Sequence, residues 1–296
     1  MELYISIAIQ ILITVISVVG VFVLTGMTGM FSLGQAAFMA IGAYVSGILV
    51  VNLGFPFPAA CALAVIFTVF IGFIVGFPTV RLRRDYISLV TLGFGEAINA
   101  LLNRAAAITG GAAGFSGIPP KTTLTLTVIS TIAAIAVVWK FKTSKYGRQC
   151  IAIKSDELAA KSMGINVARI KMIAFLLSVA VTAYAGCLYA FFTTYVDPSV
   201  FGWKKSADWV IMVFFGGVGS LTGAVFSAAF LTGLPEFLRF LAEYRSIFYA
   251  VVVLLVINFK PAGIFGEWEL TMHNLQEFKI KAIKAIKTIK KLKNKN

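Results

Sequence analysis

Charge is scarce in this 296-residue chain: Asp, Glu, Lys and Arg make up 13% of it, and only 12 residues are acidic. There is one histidine, His273, and there are three cysteines, Cys61, Cys150 and Cys187, far apart in the sequence. A lone histidine excludes a His-based metal centre and a His-dependent triad. An odd, scattered cysteine set supplies neither a disulfide framework nor a thiolate metal site. No phosphate-binding loop occurs either: the glycine-rich segment Thr109–Pro120 is not followed by Gly-Lys-Ser/Thr. The polypeptide therefore reads as one that hydrolyses no nucleotide and carries no catalytic constellation.

What the chain does have is apolar sequence. Hydrophobic residues account for 59% of it and the mean hydropathy is +0.92, against about 45–50% apolar and about 25% charged residues in a soluble domain. This is the composition of a polytopic membrane protein. Apolar runs fall at 5–25, 35–53, 57–77, 86–103, 122–139, 172–194, 207–233 and 246–259. At roughly 20 residues per span, the expected fold is all-α: a transmembrane helical bundle of eight or nine membrane segments, some broken by glycine, with one short cytoplasmic helix. The first run lacks a basic leader and a small-residue cleavage site, so it reads as a retained span.

The net charge of +14 sits in two places. Residues 140–171 hold eight Lys or Arg against Asp156 and Glu157, a net of +6, and residues 279–296 hold eight Lys and no acid, a net of +8. Such clustering marks cytoplasmic loops and argues against a nucleic-acid partner, which needs a basic face on a folded soluble domain. Arg81, Arg83 and Arg84 precede the 140–171 loop by two spans, so both face the cytoplasm and the N-terminus lies outside. The Lys-rich tail is cytoplasmic only if 207–233 breaks at Gly216, Gly217, Gly219 and Gly223 into two segments, giving nine. An eight-helix arrangement with the N-terminus inside is the alternative. The organisation expected is a membrane domain over 1–266, with its basic cytoplasmic loop at 141–170, and a Lys-rich amphipathic cytoplasmic tail over 267–296.

Glycine also interrupts the junction of the first two runs, at Gly26, Gly29 and Gly34. Irregular backbone at membrane depth is tolerated only where protein or a watery cavity surrounds it. The two interruptions share a pattern. Gly29-x-x-Ser32-Leu33-x-x-Ala36-x-Phe38 matches Gly217-x-x-Ser220-Leu221-x-x-Ala224-x-Phe226, as either an internal repeat of the kind transporters use or a coincidence of close helix packing.

Four further features bear on function. Ser155 to Gly164 reads as a short helix with Ser155 or Asp156 at its start, acids at its positive end and Gly164 as a left-handed stop. Leu158, Ala159, Ala160 and Met163 give it a small apolar face. Two turns of helix do not stand alone in water, so it rests either on a partner below the membrane or, as an ordinary loop helix, on its own chain. Glu96 lies mid-span with Asn99 and Asn103 on its face; an ionisable group there is expected to face the bundle interior, lining a pathway or tethering two helices. Gln35, at the first glycine break, invites the same two readings. In the tail, Ile280, Ile283, Ile286, Ile289 and Leu292 recur among lysines, which suits either an anionic lipid surface or a solvated extension.

Several stretches resemble the branched-chain amino-acid ABC transporter permease family, in particular its LivM-type subunit, over nearly all of residues 20–266. They are Ser32-Leu-Gly-Gln-Ala-Ala-Phe-Met-Ala-Ile-Gly-Ala-Tyr44, Asp85-Tyr-Ile-Ser-Leu-Val-Thr-Leu-Gly-Phe-Gly-Glu96, Thr109-Gly-Gly with Gly117-Ile-Pro119, Gly147-Arg148, Asp156-Glu-Leu-Ala-Ala160, Met163-Gly-Ile165 and Phe215-Gly-Gly-Val-Gly-Ser-Leu-Thr-Gly223. Arg84 departs from the family's usual glycine, and the extension beyond Gly266 is longer than usual. The resemblance implies that Asp156, Glu157, Ala159, Ala160 and Gly164 belong to a cytoplasmic coupling helix docking on an ATPase. It further implies a sister permease, two subunits that bind ATP and Mg, and an extracytoplasmic substrate-binding protein, in a bacterial or archaeal cytoplasmic membrane. This chain itself would hold no cofactor. Gln35, Glu96 and Asn99 are the candidates for the translocation pathway. The cargo expected is a branched-chain or other hydrophobic amino acid, with urea, short amides or another small solute as the alternative within the family. A secondary transporter or channel is the rival outside it; such a protein would need several intramembrane acids or a basic series, and this chain offers essentially Glu96.

Overall fold

In the computed structural model, which describes residues 2–82, 84–237, 245–260, 262–266 and 268–269, the apolar runs become helices. α1 spans Glu2–Phe22 and runs on through a π-helical turn at Val23–Thr28; α2 spans Gln35–Val51, α3 Phe57–Thr79, α4 Arg84–Arg104, and α5 is a single turn at Ala106–Thr109. α6 spans Leu124–Thr143, α7 Lys145–Ser155, α8 Glu157–Ser162, α9 Val167–Thr193, α10 Trp203–Gly216, α11 Leu221–Phe237 and α12 Arg245–Phe259. The only sheet among the described residues is an antiparallel pair of two-residue strands, β1 (Phe115–Ser116) and β2 (Tyr195–Val196), which ties together two loops at one end of the bundle. Among the described residues, four helices are long and apolar enough to cross a bilayer: α1 with its π-turn, α3, α6 and α9. The Lys-rich repeat from Ile280 to Leu292 lies outside the described residues.

α9 is the axis of the bundle, with α1, α2 and α3 packed around it. Glycine sets the closest of these contacts. A Cβ on Gly42 would stand 2.3 Å from the Ala183 carbonyl oxygen, and one on Gly186 would stand 2.0 Å from that of Met39. α2 and α9 thus meet backbone to backbone, the geometry that small residues permit where lipid supplies no hydrophobic drive. On the opposite side α3 turns Ile66, Phe70, Ile74 and Phe77 outward, all exposed. A continuous apolar stripe of this kind is a lipid-facing surface in a membrane protein and a liability in water.

Both glycine breaks are present. The π-turn ends at Gly29, whose φ of +69° no L side chain adopts comfortably, and α2 begins only at Gln35. α10 stops at Gly216, Gly217 takes φ +122°, and α11 starts at Leu221. The 207–233 run is therefore two helices, the break on which the nine-segment reading depends. The two breaks also lie side by side: a Cβ on Gly26 would be 3.0 Å from the Val218 carbonyl oxygen.

Candidate functional site

The basic end of the bundle carries the first candidate site. Asp156 is extended (φ −153°, ψ 115°), and its carboxylate accepts from the N–H groups of Leu158 (2.8 Å) and Ala159 (3.0 Å), so Asp156 caps α8 and Ser155 closes α7. At the other end Gly164 sits at φ +81°, its N–H donating to the Lys161 carbonyl while Ile165 N–H reaches back to Ala160, both at 3.1 Å. That pair of bonds is the Schellman closure, which satisfies carbonyls the last turn would otherwise leave open. Glu157 anchors the helix sideways through an ion pair of 2.7 Å to Lys171 of α9, an ammonium almost fully enclosed.

One expectation for α8 needs correction. Ala160 does not share a face with Leu158 and Met163. It is 4% exposed and packs inward with Ile153 and Ile170, whereas Leu158 and Met163 are 80% and 83% exposed and Ala159 is also outward. At 3.6 residues per turn, two positions make about 200°, so Ala160 falls opposite Leu158. The helix thus rests on its own chain through Ala160 and offers an uncovered apolar pair beyond it. A groove of about 880 Å³ runs alongside, between the Val80–Leu82 turn and residues 164–168.

Sequence reasoning missed the element that supports α8. Helix α7 buries Gly147, Cys150 and Ile153, a three-residue spacing legible in the chain, and burial pushes the Cys150 thiol up to about 12. From its last turn Lys154 reaches upward and donates to the Gly26 carbonyl (2.8 Å) and the Val218 carbonyl (3.4 Å), one from each glycine break. Lys142, at the end of α6, donates to the Gly219 carbonyl (2.6 Å), pairs with Glu269 and lies 5.3 Å from the Phe22 ring centroid. A Lys in a basic loop looks like a topology signal; nothing local marks it as a bolt between helix breaks.

The second candidate site lies at the opposite end. Glu96 and Asn99 line one cleft of about 300 Å³ with Ser199, Gly202, Lys204 and Lys205. Asn99 is held there, its amide donating to the Pro198 carbonyl (3.2 Å) and its side-chain oxygen accepting from Asn103 (2.7 Å). Glu96 is not turned into the bundle interior as expected. It is exposed, because α4 is an edge helix whose Leu89 and Leu101 also face outward, and it forms no ion pair among the described residues. Gln35 stands apart from this cleft. It is fully enclosed, its carbonyl oxygen accepting from Thr182 of α9 at 3.3 Å and its amide nitrogen lacking a partner among the described residues. Its neighbour Ala36 donates its N–H to Ser206 of α10 at 2.9 Å, so the α2 start is fixed behind the cleft.

Comparison with known proteins concerns the chain as a whole. The profile of the family described as branched-chain amino acid transport system / permease component matches residues 3–257. The chain is 30% identical over 294 residues to the high-affinity branched-chain amino acid transport system permease protein LivM of Salmonella typhimurium, covering 88% of this chain and 69% of that protein. The LivM protein of Escherichia coli matches with the same identity and coverage. The LivH permease protein of Salmonella typhimurium is 27% identical over 190 residues, 63% of this chain and 61% of that one.

Proposed function

The chain belongs to the branched-chain amino acid transport system / permease component family, and from that premise we propose that it is one membrane-spanning half of an ATP-driven importer of branched-chain or other hydrophobic amino acids. The observation that carries the ATP-driven part is α8. A helix capped by Asp156, closed at Gly164 and seated by Ala160 and Glu157 is rigid, yet it holds Leu158 and Met163 out in solvent. Two large apolar residues at the tip of a basic loop suit the cleft of an ATP-binding subunit.

In this reading the basic end faces the cytoplasm of a bacterial or archaeal cell, and nine membrane segments place the described C-terminal residues on the same side. ATP and Mg are bound by two partner subunits, and an extracytoplasmic binding protein delivers the cargo. A sister permease covers α4, because a carboxylate such as Glu96 on an edge helix is costly against lipid and needs protein or water beside it. Motion received at α8 passes through α7 to Lys154, and through Lys154 to both helix breaks at once. The breaks are where helices change direction with the least loss of hydrogen bonding, so they are suitable hinges for alternating access.

The test is reconstitution. The purified chain alone should hydrolyse no ATP, and a complex with ATP-binding subunits, sister permease and binding protein in proteoliposomes should import leucine only with ATP inside. Hydrolysis by the single chain, or import without nucleotide, would sink the proposal and favour a secondary transporter.

A further inference from the structure

The break between α10 and α11 leaves backbone groups open on both sides. α10 stops at Gly216, so its last carbonyls lack the N–H groups of a further turn, and the first N–H groups of α11 lack carbonyls. One distant stretch of chain answers both. Ile264 donates its N–H to the Phe215 carbonyl (2.9 Å) and Phe265 donates to that of Gly216 (3.0 Å). Leu221, the first residue of α11, donates its N–H to the Glu269 carboxylate (3.0 Å), and the Ser220 hydroxyl donates to the Trp268 carbonyl. A Cβ on Gly263 would stand 2.4 Å from the Gly217 Cα, and one on Gly217 would stand 2.6 Å from the Gly266 carbonyl oxygen. Residues 262–266 and 268–269 therefore form a strap seated in the break.

Charge enters this strap through Glu269. Its carboxylate pairs with the Lys142 ammonium, and the two side chains are only 13% and 14% exposed. Lys142 lies in the last turn of α6, just before Ser144 caps α7, and the same ammonium donates to the Gly219 carbonyl inside the break. An ion pair so enclosed is costly to split, because each charge left alone keeps its desolvation cost without its partner's attraction. The first break is held by a different chemistry. Leu33 and Leu221 occupy matching places in the two glycine patterns, yet the Leu33 N–H donates to the neutral Thr91 hydroxyl of α4 (3.1 Å). One backbone position is thus met by an alcohol at the first break and by a paired carboxylate at the second.

We propose that Glu269 is a positioning residue of the transport cycle, a latch through which the cytoplasmic loop moves the second break separately from the first. The carboxylate answers Lys142 and Leu221 together. A shift of the α6 end therefore either carries the start of α11 with it or releases both bonds. Lys154 reaches both breaks and so acts on the two together; Glu269 reaches the second. The latch rests on the importer reading and adds to it another route out of α7, through the end of α6. In the nucleotide state that holds the latch closed, strap and break protect one another's backbone. In the other state the N–H groups of Leu221, Ile264 and Phe265 open to water.

The experiment follows amide exchange by mass spectrometry in the full complex in nanodiscs, first without nucleotide and then with a non-hydrolysable ATP analogue. Peptides carrying Leu221, Ile264 and Phe265 should exchange at rates that differ between the two states by roughly tenfold or more, the change expected when one charge-assisted hydrogen bond is made or broken. Glu269→Gln keeps an acceptor for the Leu221 N–H but removes the charge. It should abolish that difference and leave the exchange of a peptide carrying Leu33 as it was. It should also lower the leucine imported per ATP hydrolysed by roughly tenfold. A static tether would give equal exchange in both states; that result in a complex that imports leucine would overturn the latch, as would normal import per ATP by Glu269→Gln. If Glu269→Gln fails to assemble, the two states of the unmodified complex decide. Failure of ATP-driven import by the unmodified complex would strike the importer reading instead, and the latch's role in transport with it.

Discussion

Removing the apolar tip of α8 should disconnect the ATPase from the permease while leaving the permease itself intact. Fully burying a Leu or Met side chain is worth about 1.5–3 kcal/mol. Leu158 and Met163 are 80% and 83% exposed in this chain, so roughly four fifths of that value is still available to a partner. Replacing both by alanine would then cost the docking contact about 3 kcal/mol, or roughly a hundredfold in affinity. The fold should be unaffected, since neither side chain contributes much to this chain's own core; Ala160 does, and it is untouched. The assay is co-purification of the ATP-binding subunits with Leu158→Ala/Met163→Ala, together with leucine uptake and the thermal stability of the isolated permease. The expected result is an unchanged melting profile with loss of co-purified ATPase and of uptake. Normal co-purification and uptake would refute the assignment of this surface; a collapsed melting profile would show that the two side chains serve the fold.

The rigidity of α8 gives two further expectations. Gly164→Val should cost about 1–2 kcal/mol from its left-handed backbone alone, because no atom lies within 4 Å of the position a Cβ would take; uptake should fall, and Gly164→Asn should retain more of it. Asp156→Ala should cost about 1 kcal/mol of helix capping, read as faster amide exchange at Leu158 and Ala159, with Asp156→Ser largely restoring protection. Lys154→Met leaves the Gly26 and Val218 carbonyls without this donor; ATP hydrolysis should persist while uptake drops, and equal retention of both would remove Lys154 from the coupling path. Glu96→Gln should slow uptake more than it reduces recovery of the assembled complex, whereas normal uptake would leave Glu96 with a packing role.

The helical plan and the break at Gly216–Ser220 were legible because hydropathy, glycine position and the placement of Lys and Arg are local signals. The cap at Asp156 and the stop at Gly164 were equally so, since both depend on residues within one turn. What escaped depends on distance in sequence. Lys154 meets carbonyls 128 and 64 residues away, and a backbone carbonyl carries no residue-type signature. Ala160 parts from Leu158 by angle, about 200°, and from Met163 because the helix ends at Ser162 and Met163 is already its C-cap. Glu96 is expected inward because an ionisable group in a span is expensive; that cost demands protein or water beside the carboxylate but does not say on which side of α4 it lies, and the carboxylate is exposed.

A photo-crosslinker on α8 reads its contact with an ATP-binding subunit. Placed at Leu158 in membranes holding the full complex, it should yield a product with the ATP-binding subunit, while the same group at Tyr195, exposed at the far end, should not. A complex that imports leucine normally yet gives no such product from Leu158 or Met163 would contradict the account.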